Sequence, residues 1–248
     1  MSFLTHEYME HDNVSLEFAS ENETFLTNHN EKKIFESASL IKIPIMIYIF
    51  SKLNKEERQE NLKIEHKVSG SGVLQTLDIP YLSVNDLVQL MIVVSDNTAT
   101  NILINYFGQQ HINLFIQQTL NCKNTELNRL MMDAEAIDQG KQNYTTSEDM
   151  INMLRYITQH ANGDDMLEIM RHQHLNDKVS IFKSFYEDQL IYYSKTGEYD
   201  HVANDVGIIQ FKEKYYYYSF LSNTENPEKA IKFAHDFGSY MIQSILKC

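Results

Sequence analysis

Strand-like periodicity occupies both ends of this chain, and helical periodicity fills its middle. Residues 14–18 alternate apolar and polar side chains as a half-buried strand does, and 24–26 can pair with them. A polar turn follows over 27–33. Near the other end, 190–195, 202–211 and 215–221 are spaced for antiparallel hairpins. Between them the period changes. A buried helix is predicted from Ser39 to Phe50, with Pro44 in its early turns. Further helices are predicted over 83–94, 98–107 (stopped by Gly108), 110–120, 147–160 with Ser147 as N-cap, and 164–172. Residues 230–246 close the chain as an amphipathic helix. Strands so far apart in sequence share a sheet only if the two ends of the chain meet. The predicted fold is therefore α+β: one antiparallel sheet built from both termini, flanked by helices, with an inserted all-helical lobe. The lobes divide near 55 and 185, giving a discontinuous α/β lobe (1–55 and 185–248) and a helical lobe (56–184) in a single domain.

Composition agrees with long helices, because breakers are scarce: 8 Gly and 3 Pro in 248 residues. An apolar fraction of 43% excludes a disordered chain. The balance of 21 basic and 34 acidic residues gives 21 − 34 = −13, which excludes a general nucleic-acid binder. The longest apolar run, 43–50, is too short to span a bilayer. The first ten residues lack the basic and apolar regions of a signal peptide, so the chain as given is expected to be cytoplasmic. It would be secreted or held at the cell surface if that end has been trimmed. Cys122 and Cys248 sit in no metal or redox motif and are expected to be reduced thiols without a role.

Three short motifs carry chemistry. Ser39-Leu-Ile-Lys42 stands at a helix start, Ser95-Asp96-Asn97 in a turn between helices, and Lys195-Thr196-Gly197 at a strand end. Singly, each has an ordinary explanation as a cap, a surface lysine or a hairpin turn. A Ser-x-x-Lys arises about once by chance in a chain of this length, whereas the ordered trio should occur in fewer than roughly one chain in a thousand. Ser39 and Lys42 share a helix face, so the amine can reach the hydroxyl. A serine hydroxyl is a weak nucleophile until a base adjoins it. Lys42 serves as that base only when neutral, and burial together with the charge of Lys195 would lower its pKa. Ser95 can relay a proton to a leaving amine. Asn97 can hold a substrate amide or orient Lys42. Lys195 and Thr196, with Gly197, can bind a substrate carboxylate at the end of an edge strand. The backbone N–H groups of Ser39 and Glu198 are the candidate oxyanion donors.

The trio resembles that of class A serine β-lactamases and penicillin-binding proteins. The likeness extends to Leu82-Ser-Val-Asn-Asp-Leu87, to 95–101, to 35–42, to Asn143-Tyr-Thr-Thr-Ser-Glu-Asp-Met150 as the exit of an Ω-loop, and to Val206-Gly-Ile-Ile209 as the strand after the Lys-Thr-Gly. It covers most of the chain from about residue 34. It implies a five-stranded antiparallel sheet with helices on both faces, and a site between that sheet and an all-helical lobe. The Ω-loop departs from the family. Aligning 125–129 with the start of that loop puts Met131 where the family holds the Glu that activates the deacylating water. A thioether takes no proton, and Asp133 and Glu135 are offset. Arg129 matches the family's loop arginine, but its usual Asp partner is replaced by Asn143. The family's strand arginine is missing, with Val206 near its place. His201, His172 and His174 are read as surface residues that no carboxylate pairs.

The expectation is a serine hydrolase of β-lactamase type, equipped to acylate and impaired in deacylation. The alternatives are a D,D-peptidase or esterase with a non-antibiotic substrate, and a penicillin-binding sensor that acylates without turnover. The expected partner is a small molecule bearing a carboxylate. No metal or cofactor, no nucleic acid and no membrane is implied, and the chain is expected to be a monomer.

Overall fold

The computed structural model describes residues 13–22 and 25–247. The readings made on the first ten residues, Thr24 and Cys248 lie outside the described residues.

The two ends of the chain do share one sheet. Strands β1 (Val14–Ser20) and β2 (Phe25–His29) come from the beginning, and β7 (Leu190–Tyr199), β8 (Val202–Phe211) and β9 (Lys214–Ser222) from the last quarter. They form a five-stranded antiparallel sheet in the order β2-β1-β9-β8-β7. The join is the pairing of β1 with β9, which sets Val14 opposite Ser222. Side chains alternate between faces along each strand. Tyr193, Val206, Ile208 and Tyr217 therefore join the core shared with the middle helices. Tyr192, Ile209, Tyr218 and Phe220 pack on the other face with Phe233, Phe237, Met241 and Ile245 of the last helix (Pro227–Leu246). Each such side chain, fully buried, contributes about 1.5–3 kcal/mol of hydrophobic stabilisation.

Helix α1 (Lys42–Lys52) is buried continuously from Lys42 to Phe50. A helix apolar all round belongs at the centre of a molecule. It does not start as an α-helix at Ser39. Residues Ala38–Ile41 form a 3-10 turn first, with Ala38 at φ 45°, and Pro44 falls in the first α-helical turn, where a missing N–H costs least. Helix α2 (Val84–Val93) is capped by Ser83, whose Oγ accepts from Asp86 N at 3.0 Å and whose hydroxyl donates to Asp86 Oδ2 at 2.7 Å, so Asp86 meets the cap through its side chain rather than closing a capping box on the Ser83 backbone. Helix α3 (Asn97–Phe107) begins one residue earlier than expected because Asp96 is its N-cap. Helix α4 (Gln109–Gln118) follows Gly108, and α5 (Ala134–Asp138) is short. Helix α6 (Ser147–Gln159) is capped by Thr146 rather than Ser147. Ser147 instead accepts hydrogen bonds from the sheet hydroxyls of Ser15 and Ser219. Helix α7 (Gly163–Arg171) precedes β7, and the last helix, α8, starts at Pro227, three residues before the expected 230.

Two further differences bear on the site. β7 runs on to Tyr199, because its ladder with β8 continues to the Tyr199–Val202 pair. Lys195-Thr196-Gly197 thus lies within the strand, not at its end. Short ladders join β3 (Phe35–Glu36) to β6 (Tyr144–Thr145) and β4 (Asn61–Lys63) to β5 (Tyr81–Ser83). Ladders of two or three residues are too short for a period to announce them. Among the described residues no helix is long and apolar enough to cross a membrane.

Candidate active site

The three motifs converge on one cleft of about 480 Å³, lined by Ser39, Ser95, Asn97, Thr196 and Glu198 among others. A larger cavity of about 630 Å³ lies between α2, α7 and the 55–59 segment, but no serine, threonine or cysteine lines it, and none of the three motifs reaches it.

Ser39 comes from the 3-10 turn and Lys42 from the first turn of α1. The one-turn offset brings Lys42 Nζ to 2.8 Å from Ser39 Oγ. Lys42 is wholly buried and surrounded by oxygen. Its Nζ donates to Ser95 O at 2.7 Å and lies 3.0 Å from Ser95 Oγ and 2.9 Å from Asn97 Oδ1. An ammonium has three protons for these four partners. A neutral amine fits as well: it donates to Ser95 O and Asn97 Oδ1 and accepts from the Ser39 hydroxyl. Burial, then the charge of Lys195, pushes the pKa of Lys42 well below the usual lysine value, against the pull of Asp96.

Lys195 is equally buried. Its Nζ donates to Ser95 Oγ at 3.0 Å and to Thr196 O at 2.6 Å, so the Ser95 hydroxyl bridges two lysines. Burial, then the charge of Lys178, brings Lys195 down to about 7, opposed by Asp205. β7 is the sheet's edge, and its outer side lies against the Ser39 turn. A Cβ on Gly197 would stand 2.8 Å from Ser37 O, so glycine is what lets strand and nucleophile turn close up.

The turn at 95–97 is held by a segment that sequence reasoning passed over. Asn97 N donates to Ser71 O, and Asn97 Nδ2 to Ser69 O. Asp96 caps α3 through one oxygen and accepts from Val73 N and Leu74 N through the other, at 2.7 and 2.8 Å. Gly72, at φ 103°, lies so close that a Cβ would stand 2.3 Å from Asp96 Cα. Two glycines within three residues, in a chain with so few, was the available signal. The cleft is also where backbone strain collects: Ala38, Ser95 and Met132 line it, all at positive φ without being glycine.

Met131 lines the cleft, and its backbone is fixed by Asn101, which donates to Met131 O at 3.0 Å and accepts from Met131 N at 2.8 Å. Asp133 and Glu135 do not line it. Asp133 caps α5, accepting from Ala136 N, and Glu135 is exposed. Arg129 finds a partner the sequence did not suggest: Gln142 Oε1 accepts from its Nε and Nη2 at 2.9 and 2.7 Å. Asn143 holds the loop by accepting from the backbone N–H groups of Asn128 and Arg129. Val206 stands opposite Lys195 on the inner face of the sheet, away from Thr196. Two of the histidines do meet carboxylates, correcting the expectation: His172 lies 3.0 Å from Glu168 and His201 3.3 Å from Glu36. The first pair is an i,i+4 helix contact and the second joins segments distant in sequence. His174 makes a backbone bond to Val93 O. Lys178, Tyr199 and Asp200 were also not anticipated. Among the described residues, no cluster of His, Cys, Asp and Glu could hold a metal ion, and Cys122 is a buried free thiol.

A model of the beta-lactamase enzyme family matches residues 8–245. No curated protein matches the chain by sequence. A β-lactamase from Sphaerobacter thermophilus is 25% identical, with 93% of this chain and 90% of that one covered at a TM-score of 0.83. PBP-A is 22% identical over 98% and 94% at 0.84, and a mutant of it has been solved as an acyl-enzyme complex with penicillin G. A β-lactamase from Chitinophaga pinensis is 17% identical over 94% and 93% at 0.82.

Proposed function

We propose, since the chain belongs to the beta-lactamase enzyme family, that it is a serine acyl-transfer hydrolase working through Ser39. The observation that carries this reading is the 2.8 Å contact between Ser39 Oγ and the buried, pKa-depressed Lys42 amine. Lys42 takes the hydroxyl proton as Ser39 attacks a carbonyl carbon. The backbone N–H groups of Ser39 and Glu198 hold the oxyanion that forms. Ser95, bonded to both lysines, passes the proton to the leaving nitrogen or oxygen. Asn97 orients Lys42 through Oδ1. Lys195 and Thr196 anchor an anionic group, with Gly197 keeping the strand close. The substrate is a β-lactam, or an acyl-peptide or ester of similar shape, and the cleft lies between the lobes that divide near 55 and 185. No cofactor is needed for these steps.

Deacylation is the slow step in this account. Met131 stands at the cleft and cannot take a proton, and the carboxylates near it in sequence are turned elsewhere. The same observation favours a second reading, a penicillin-binding protein that stays acylated. A D,D-peptidase or esterase would use the same groups on a different natural substrate. Intact-mass measurement after mixing with benzylpenicillin tests the proposal. A +1 acyl adduct on Ser39, absent in Ser39→Ala, is the expected result, and its decay time separates slow turnover from none. Labelling that survives in Ser39→Ala would overturn it.

A further inference from the structure

A buried cation in the wall of the cleft has no carboxylate bonded to it among the described residues. Arg129 is 7% exposed and lines the cleft beside Met131, Met132 and Ile137. Its guanidinium donates to Gln142 Oε1 through Nε and Nη2, at 2.9 and 2.7 Å, and to Leu130 O through Nη1 at 3.0 Å. Both acceptors are neutral. A guanidinium has five N–H groups, so these bonds leave one free on each terminal nitrogen. Burial pulls the pKa of Arg129 below the usual arginine value, while Tyr199, Glu36 and Asp133 pull the other way. The group still cannot escape its burial by losing a proton, because arginine stays charged in proteins. The carboxylates around it are committed elsewhere. Glu36 faces His201 at 3.3 Å, Asp133 caps α5, and Glu198 accepts from Lys178 Nζ at 2.8 Å. Asp200 lines the cleft but is exposed, where water screens its charge. A buried charge without its pair is costly, so a ligand that brings the opposite charge gains by binding there.

We infer that Arg129 is a specificity-determining residue: paired only with neutral oxygens, it selects acyl donors that carry a negative group on the side chain of the acyl part. The inference rests on the hydrolase reading above. With Lys195 and Thr196 holding the ring carboxylate of a penicillin, the acyl side chain leaves from the opposite side of the reacting carbonyl, toward the loop that carries Arg129. Met131, Met132 and Ile137 of that loop suit an apolar group, and Met132 is 42% exposed. A negative substituent on that group supplies the counter-ion that Gln142 does not. Complementary charge in a confined cleft discriminates between ligands of otherwise equal shape.

Benzylpenicillin, carbenicillin and ampicillin share the ring carboxylate and differ at one side-chain carbon, which bears hydrogen, a carboxylate and, at mildly acidic pH, an ammonium. Second-order acylation rates for the three are measured at that pH by intact mass on the native protein, Gln142→Glu and Arg129→Gln. Gln142→Glu offers Arg129 a carboxylate where the amide stood, and Arg129→Gln removes the cation. A melting curve checks that each variant folds. The native protein is expected to acylate carbenicillin fastest and ampicillin slowest. Either variant should lower the carbenicillin-to-benzylpenicillin ratio on the order of tenfold and raise the ampicillin-to-benzylpenicillin ratio. A loop merely loosened by the substitution would slow all three probes together and leave both ratios as they were. Unchanged ratios in either folded variant overturn the inference, as does a native protein that prefers ampicillin to carbenicillin. Absence of any adduct from benzylpenicillin on the native protein would instead defeat the hydrolase reading, and this inference with it.

Discussion

Lys42 has to be buried to act and has to be neutral to be useful, and both follow from its place in the first turn of an all-apolar helix. Lys42→Ala should therefore slow acylation strongly. Lys42→Arg should not rescue it, because a guanidinium stays protonated. Near-native acylation by Lys42→Arg would show that this residue is not the base. Lys195 gives a pH signature. With its pKa at about 7, it is charged below that value and neutral above it. The KM for benzylpenicillin should rise as pH goes from 6 to 8, while the KM for an uncharged ester stays flat. Parallel curves would argue against an anchoring role. The residues of the trio were legible because each motif is local and its spacing fixes the geometry. Lys178 and Gln142 were not, since each meets its partner through the fold, 20 and 13 residues away, with no spacing rule to announce it.

At the scale of elements, two loops set the cleft. The first carries Met131, whose backbone Asn101 holds from both sides. Met131→Glu should speed decay of the acyl-enzyme, since general-base help is typically worth roughly 10²–10⁴-fold. Asp133→Asn should leave decay unchanged and affect only the cap of α5, where Asp and Asn serve about equally well. If decay slows in Asp133→Asn, that carboxylate is the base. The second loop is 68–74. Gly72→Ala places a methyl group against Asp96 at a backbone angle that suits glycine, so it should lower stability by about 1–3 kcal/mol. Acylation should fall with it, because the same Asp96 positions Val73, Leu74 and α3. Thermal melts and adduct rates measured together check both parts. The larger helices could be read from their apolar stripes, usually to within one to three residues. The two- and three-residue ladders and this loop could not, because they are made by hydrogen bonds between distant segments rather than by a period.

The whole molecule depends on its two ends meeting, and β1 carries an unusual charge at that join. Glu17 is buried, its Oε2 has no hydrogen-bond partner, and burial followed by the nearby Glu31 and Glu148 raises its pKa from 4.5 to about 7, with Arg155 opposing. Between those two pH values the folded state binds more protons than the unfolded one. Stability should therefore fall as pH rises from about 4.5 to 7, and Asp205, raised to about 6, adds to the same slope. Glu17→Gln should recover on the order of 1–3 kcal/mol at pH 8 and little at pH 4.5, as read by denaturant unfolding. Equal effects at both pH values would mean that the carboxylate is not protonated in the fold. That the termini form one sheet was legible from alternation at both ends of the sequence. That an acid sits unpaired within it was not, because the alternation placed Glu17 on a solvated face and the structure covers that face with α6. The account's central claim is that Ser39 is acylated quickly and released slowly, and a time course of intact mass with excess benzylpenicillin tests it most directly. The predicted result is rapid conversion to a single adduct on Ser39 that decays slowly once free penicillin is removed. Rapid hydrolysis of penicillin with no adduct at any time, or an adduct that forms equally in Ser39→Ala, would contradict it.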